Sequence, residues 1–489
     1  MKKLIVLLLL LSMVLTVFVS CKDDTPTPPD NDREQQTGEG EVPLPEPKEE
    51  WKGNEFNIMY RDTYDYEWVF VEEDAGSVIN DAIFDRNSAV EDRYDIIINP
   101  ISVSNASFDN DFLLPLNNSI LAGDDDFQLA AGYQYLLAYN STLGNFLNWY
   151  DVPNVTPNAV WWDGDFFDAA SYNGCTYIAS GSLSLSHLYS SSCFFFNQTM
   201  IDSRVDGGSA KIFEAVKNGT WTYETFYEYA SQCSADNGDD VWDQNDIYGF
   251  ATNMSTALDG FLYGFDIGFS YRNNSGEIKL NSMGEKIVNV TIAVNNLINV
   301  SGHTFRQSMA DFEGNSIFTG MLSTGNAAFS TGRLEDAQNL RQIDGLNYGI
   351  LPYPKWDEEQ KEYHSFTLDY STAFVIPRVV EDPEFVGAIT EALAYYSYEY
   401  VRDALYNTVL KYRDAKDQES SECVDLILDG ARYDFAYIYA NAWGGTSGPA
   451  MLFRECINGK NTYIANGFKA NQERYETKLE TFLQGFVSK

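Results

Sequence analysis

Two short stretches set aromatic rings beside planar polar groups at places where a strand should end. Tyr60, Arg61 and Asp62 close the alternating run Glu55-Phe56-Asn57-Ile58-Met59-Tyr60, and Tyr133, Gln134 and Tyr135 follow an apolar run ending at Gly132. Farther along, Asp259 and Tyr263 stand in an irregular apolar stretch, Arg333 follows Gly332, and Trp443 precedes Gly444-Gly445. Flat apolar rings cover the C–H faces of a sugar, while carboxylate, amide and guanidinium groups match its hydroxyls. These residues are therefore candidate contacts for a neutral polar solute. The competing reading is packing, because 32 Tyr and 31 Phe must mostly fill core. On that ground Trp161 and Trp162 are read as packing.

Other chemistry is less well supplied. With 72 acidic residues, paired carboxylates are unavoidable, so a surface glycoside hydrolase stands as the alternative from another class. The histidines are only His187, His303 and His364, with no HExxH motif, no GxSxG elbow and no glycine-rich phosphate loop. No catalytic residue and no cofactor is assigned. The loop Ala235-Asp236-Asn237-Gly238-Asp239-Asp240-Val241-Trp242-Asp243-Gln244-Asn245-Asp246 resembles an EF-hand calcium loop, with Asn237, Asp239, Asp243 and Asp246 at ligand positions. Ala235 stands at the first ligand position and Asp240 where glycine belongs, so the loop is read as a decayed relative of a calcium loop, with an acidic surface turn as the alternative, and no metal is assigned.

The N-terminus says where such a site would work. Lys2 and Lys3 precede about 16 apolar residues, shorter than the roughly 20 that span a bilayer, and then Ser20 and Cys21. Phe18-Val19-Ser20-Cys21 resembles the box of a bacterial lipoprotein signal, although leucine is usual where Phe18 stands. That resemblance implies a signal peptide over residues 1–20, lipidation (palmitate included) of Cys21, and an anchor on the extracellular face of the membrane. Residues 21–50 are rich in proline and acids and almost free of apolar side chains, the composition of an extended tether. The net charge of -40 excludes nucleic acid as a partner, since phosphate binding needs a basic surface. Beyond Cys21 the cysteines are Cys175, Cys193, Cys233, Cys423 and Cys456, an odd set without CxxC spacing, in which Cys175 and Cys193 are the pair to check.

The elements that position these residues alternate. A strand at 55–60 leads to a helix over 77–94, a buried strand at 96–98, a helix from about 109, and a strand over 126–132. Asp382-Pro383-Glu384 opens a further helix with Phe385, Ile389, Leu393 and Tyr396 on one face. Alternation of this kind predicts α/β architecture with mostly parallel sheets, whose ligands lie beyond the carboxyl ends of strands.

The segment Gly325-Asn326-Ala327-Ala328-Phe329-Ser330-Thr331-Gly332-Arg333, with Tyr348-Gly349-Ile350-Leu351-Pro352 after it, resembles the extracellular family 1 solute-binding proteins of carbohydrate ABC importers, the maltose-binding type. Asp85-Arg86-Asn87, Tyr172-Asn173-Gly174, Phe195-Phe196-Asn197-Gln198, Gly219-Thr220-Trp221-Thr222 and Ile376-Pro377 resemble further landmarks in the same order, over roughly 54–482. The resemblance implies a type II periplasmic-binding-protein-like fold: two lobes, a multi-strand hinge and a ligand cleft between them. Lobe 1 would comprise 51–185 and 373–433, lobe 2 186–372 and 434–489. It also implies a non-enzymatic monomer that closes on a sugar and hands it to permease subunits, or a sensor of the same fold.

Overall fold

The computed structural model describes residues 42–104, 111–307, 317–443 and 448–486. Its strands are β1 (Glu55–Arg61), β2 (Ile97–Val103), β3 (Leu129–Tyr133), β4 (Ser192–Asn197), β5 (Tyr248–Asn253), β6 (Thr304–Gln307), β7 (Ala327–Arg333), β8 (Tyr348–Leu351), β9 (Ser365–Phe366), β10 (Thr372–Val375) and β11 (Ala431–Arg432), with a small hairpin at 270–280 besides. One sheet has the order β10-β3-β1-β2 and a second the order β8-β4-β7-β5-β6. β1 runs parallel to β2 and β3, and β5 runs parallel to β6 and β7; β10, β4 and β8 are antiparallel to their neighbours. The carboxyl ends of β1 and β3 thus share one sheet edge, and those of β5 and β7 share another.

The helices that cover these sheets follow from local signals. Those used below are α1 (Val78–Tyr94), α2 (Leu113–Ala122), α3 (Gln134–Asn140), α4 (Leu185–Tyr189), α5 (Thr256–Gly264), α6 (Pro383–Tyr396), α7 (Gln418–Asp429), α8 (Phe435–Ile438) and α9 (Leu452–Asn458). Asp382 caps α6 by accepting from the N–H groups of Glu384 and Phe385, and Pro383 needs no such partner. Phe385, Ile389 and Leu393 then pack on Phe56 and Ile58 of β1. Beyond α6 the chain continues through wide π-type turns, Ser397–Arg402 and Ala404–Asp414, before α7.

Three segments run side by side between the sheets. Ser191 bridges to Thr367 in antiparallel fashion, and β9 pairs with β11 through Ser365 opposite Ala431 and Phe366 opposite Arg432. His187 of α4 donates through Nε2 to Tyr433 Oη at 2.5 Å, and Tyr433 Oη donates to Asp163 Oδ2 at 2.6 Å. The first and last of these segments are thereby fastened to the turn that opens helix Gly164–Ala170.

The structure corrects the sequence reading in several places. Residues 42–50, counted with the tether, lie on the body: Tyr94 Oη donates to the Pro45 carbonyl at 2.8 Å, and Lys48 pairs with Glu384 at 2.6 Å. The prolines there leave carbonyls free, and those carbonyls find donors on α1. α7, placed with lobe 1, packs on β8 instead; Ile350 N donates to Ser420 Oγ at 3.0 Å, and Val424 and Ile427 cluster with Tyr348 and Ile350. Its apolar stripe covers the otherwise bare edge strand of the second sheet. α8, placed with lobe 2, contacts α3 and Gly164–Ala170, and Tyr439 Oη donates to the Ala170 carbonyl at 2.7 Å. All five cysteines beyond Cys21 are buried thiols, and Cys175 Sγ donates to the Asn173 carbonyl rather than pairing with Cys193. In the acidic loop, Asp246 accepts from the N–H groups of Asn237 and Asp243, so the turn is closed by its own carboxylate. Cys21 lies outside the described residues.

Candidate functional site

The turn after β1 supplies one wall. Side chains alternate along a strand, so Tyr60 and Arg61 point to opposite faces. Tyr60 goes into the core cluster of Trp68, on the face of the strand opposite Arg61, which removes it as a direct contact. Arg61 goes the other way and is enclosed by tyrosines. Its guanidinium carbon lies 3.1 Å from the ring centroid of Tyr133 and 4.1 Å from that of Tyr64. Arg61 Nη2 and Tyr64 Oη both donate to the Tyr370 carbonyl, at 3.0 and 3.2 Å, while the buried Nε and Nη1 of Arg61 have no hydrogen-bond partner among the described residues. Burial pulls the Arg61 guanidinium down from its usual range and pushes the Tyr64 phenol up to about 12. Asp62 is exposed and opens the short 3-10 helix Asp62–Glu67.

β3 delivers the next residues. Tyr133 ends the strand with its ring edge-on to Tyr370, centroids 5.5 Å apart, and Tyr135 meets Tyr370 at 6.2 Å. Gln134 is buried at the start of α3. Its N–H donates to the Ser371 carbonyl at 3.0 Å, and that of Tyr135 donates to the Asp369 carbonyl at 3.2 Å. The glycines ahead of Tyr133 and Arg333 serve packing. A Cβ on Gly132 would lie 2.6 Å from the Phe112 ring, and one on Gly332 2.5 Å from Phe195.

The opposite wall comes from β7. Arg333 ends that strand and pairs with Glu335 at 2.5 Å, and its own N–H donates to Asp336 Oδ2 at 2.8 Å. Burial lowers the Arg333 guanidinium, but Asp336 and Glu335 outweigh it and the net direction is upward. Burial raises the phenols of both Tyr64 and Tyr66, and the charge of Glu335 is among the lesser contributions to each, so the turn after β7 lies within electrostatic reach of the turn after β1.

A third group closes the floor. Asp259 and Tyr263 were expected in irregular chain, but they lie on α5 and are buried. Asp259 is held by Arg454 of α9 and by Tyr437 Oη at 3.5 Å, and Tyr263 stacks on Phe366 with centroids 4.9 Å apart. Asp259 is thus spent on Arg454 and Tyr437, and the Tyr263 ring is buried against Phe366, which corrects their reading as direct contacts. The half-buried Asp369 shares this field: burial lifts its carboxyl to about 6 against the pull of Arg454. Trp443 ends the turn Ala440–Trp443, and its side chain lies outside the described residues. Trp161 and Trp162 are core, with Trp162 Nε1 donating to Glu391 at 2.8 Å.

The structure therefore brings Arg61, Tyr133, Tyr135 and Arg333 toward one place, and Tyr64, Tyr66, Glu335, Asp369, Tyr370 and Arg454 join them. Tyr64 and Tyr66 carried a signal, since both directly follow the first strand end. Arg454 carried none, because its partner Asp259 is 195 residues away.

No family model and no curated protein sequence matches the chain. Solved structures do match. The galacto-N-biose-/lacto-N-biose I-binding protein of the ABC transporter from Bifidobacterium longum, in complex with lacto-N-biose, is similar with TM-score 0.54 and 13% identity, over 88% of this chain and 98% of that one. UgpB from Mycobacterium tuberculosis, in complex with glycerophosphocholine, gives TM-score 0.54 and 14% identity over 87% and 99%. The ABC transporter associated binding protein from B. animalis subsp. lactis, in complex with beta-1,6-galactobiose, gives 0.53 and 15% over 89% and 99%. The chain has the fold of these binding proteins, the type II periplasmic-binding-protein architecture.

Proposed function

We propose that this chain is the extracellular solute-binding component of an ABC importer, closing on a neutral sugar and presenting it to permease subunits. One observation carries the reading: tyrosines 64, 133 and 370 gather around Arg61 at the carboxyl ends of β1 and β3, opposite Arg333 and Glu335 at the end of β7. Rings beside forked donors and carboxylate acceptors suit hydroxyl-bearing rings. Because the two walls belong to different sheets, a ligand touching both favours the closed form.

Charge separates solute classes that one fold can hold. Glu67, Asp259, Glu335, Asp336 and Asp369 outnumber Arg61, Arg333 and Arg454 around the site, which disfavours an anionic phosphate solute. Among the similar structures two hold sugars and one holds glycerophosphocholine. Tethering through Cys21 is part of the same proposal, and among the described residues no helix is long and apolar enough to cross a membrane.

Thermal melting of the secreted chain with neutral sugars, and with glycerol 3-phosphate as the anionic control and glycerophosphocholine as the zwitterionic one, tests the reading. A sugar that binds the folded form raises the melting temperature by mass action. Stabilisation by either phosphate solute alone, or release of hydrolysis products from a sugar, would overturn it. Cys21→Ser should abolish fatty-acid labelling; persistent labelling would move the anchor elsewhere.

A further inference from the structure

A groove opens beside the site, between α2, α3 and the turn after α8. Its volume is about 470 Å³, and Leu114, Asn117, Tyr135, Tyr139, Asn140 and Asn441 line it. That volume lies within the roughly 300–1,000 Å³ of small-molecule sites. Among the described residues, the lining bears no charged side chain. Tyr135 and Tyr139 sit four residues apart on α3 and so share one face of the helix. Tyr139 is 51% and Leu114 58% exposed, a pairing of apolar surface that a secreted monomer has reason to cover.

Two contacts tie the groove lining to residues of the site. Tyr135 meets Tyr370, whose ring also meets Tyr133, and the Tyr135 N–H donates to the Asp369 carbonyl. Asn441 lies just beyond α8, whose Tyr437 hydroxyl reaches Asp259 in the opposite wall. The amides keep capacity for hydroxyls. Asn117 uses its oxygen to accept from Asn145, leaving its NH₂, and Asn140 donates to the Leu136 carbonyl, leaving its oxygen. Rings, aliphatic surface and uncharged amides in one channel fit a sugar chain better than a peptide or a phosphate.

We infer that this groove takes the outer rings of a neutral oligosaccharide whose first ring occupies the cleft, so that the solute is a chain of at least three sugars. The inference rests on the solute-binding reading above. The experiment is a glycan array of glucans and galactans, one to five rings long, followed by titration calorimetry of the tightest series. The intact secreted chain is compared with Tyr139→Ala and Leu114→Ser, both at exposed positions, with melting curves as the check on folding. The expected result is affinity that rises with each added ring up to at least the third. In either variant the ratio of long-chain to one-ring affinity should then fall about tenfold. If a mono- or disaccharide binds as tightly as its longer homologues, or both variants keep the full length dependence, the groove assignment fails while sugar binding stands. If no sugar binds, the solute-binding reading fails and this one with it. Sedimentation showing a dimer that Tyr139→Ala dissociates would assign the patch to self-association and also overturn the inference.

Discussion

Arg61 sets its guanidinium carbon 3.1 Å from the ring centre of Tyr133, and the arginine is only 1% exposed. The ring that would otherwise offer a flat face to a sugar is therefore covered on one side by a cation. A desolvated cation–π contact is worth about 2 kcal/mol, enough to hold this arrangement without ligand. Arg61 itself keeps hydrogen-bonding capacity in place, since its buried Nε and Nη1 have no hydrogen-bond partner among the described residues.

Tyr133→Ala should behave as a core truncation, since the ring is 7% exposed and packs on Tyr64 and Tyr370. The expected cost is about 3–5 kcal/mol of unfolding free energy, as for other large aromatic deletions. Urea unfolding followed by tryptophan fluorescence measures it. A loss below 1 kcal/mol would show that the ring is not held as part of the core.

Arg61→Met separates binding from stability. Methionine keeps much of the volume between the tyrosines and removes a buried charge whose Nε and Nη1 are unpartnered. Replacing buried ions by apolar residues is often neutral or stabilising by 1–4 kcal/mol. Unfolding free energy should therefore hold or rise, whereas affinity for the sugar should fall by roughly tenfold or more, the worth of a charge-assisted hydrogen bond. An unchanged affinity would place the ligand away from Arg61.

Much of the frame was legible because it depends on neighbours in sequence. The alternation of 55–60 and the Asp382-Pro383 cap specify β1 and α6 by period and by hydrogen-bond demand. Strand ends were legible too, but the glycines that mark them admit Phe112 and Phe195 rather than a ligand. What could not be read depends on long-range pairing. Asp259 looked available until Arg454 was brought to it, and Tyr60 differs from Arg61 only by which side of a strand it faces. The π-type turns over 397–414 have an apolar pattern that an ordinary helix would share, so the shift of α7 onto the second sheet left no trace in the periodicity.

Acidity should stabilise one part of the fold. Burial holds the Asp434 carboxyl up to about 6, although the N–H groups of Phe269, Ser270 and Tyr437 donate to it. In the unfolded chain an aspartate titrates near 3.9. Between about pH 4 and 6 the folded state binds more protons, so stability falls as pH rises through that window and is level above it. Asp434 contributes at most about 3 kcal/mol at 1.36 kcal/mol per unit, and Asp369 adds less because it is half-buried. The large negative charge gives a slope of the same sign, so Asp434→Asn is the control. Urea midpoints at several values from pH 4.5 to 7 should show a shallower fall in the variant. Equal slopes would show that Asp434 titrates normally in the fold.

The last prediction concerns Glu67, which ties the site to the segments joining the sheets. Its carboxylate is fully buried; Oε1 accepts from Ser186 N–H at 2.7 Å and Oε2 from Thr372 Oγ1 at 2.7 Å. Ser186 Oγ also accepts from Thr372 N–H at 2.9 Å, so two connecting segments are bonded to each other and to the turn after β1. Burial raises the Glu67 carboxyl, and hydrogen bonds together with the charge of Arg61 draw it back down. Arg86 is buried with Nη1 and Nη2 unpartnered, and the charge of Glu67 is what opposes the fall of its guanidinium. Glu67→Gln preserves size and most hydrogen-bonding capacity but removes the anion, leaving buried guanidinium charge uncompensated. A loss of about 3 kcal/mol is expected, the low end for breaking a buried pair. Replacing Arg86 by Met in the same chain should recover at least half of it, because the two losses share one cause and are not additive. Urea unfolding of both single variants and the double variant reads the coupling directly. Additive losses would show that Glu67 acts only through Ser186 and Thr372, with no electrostatic link to Arg86.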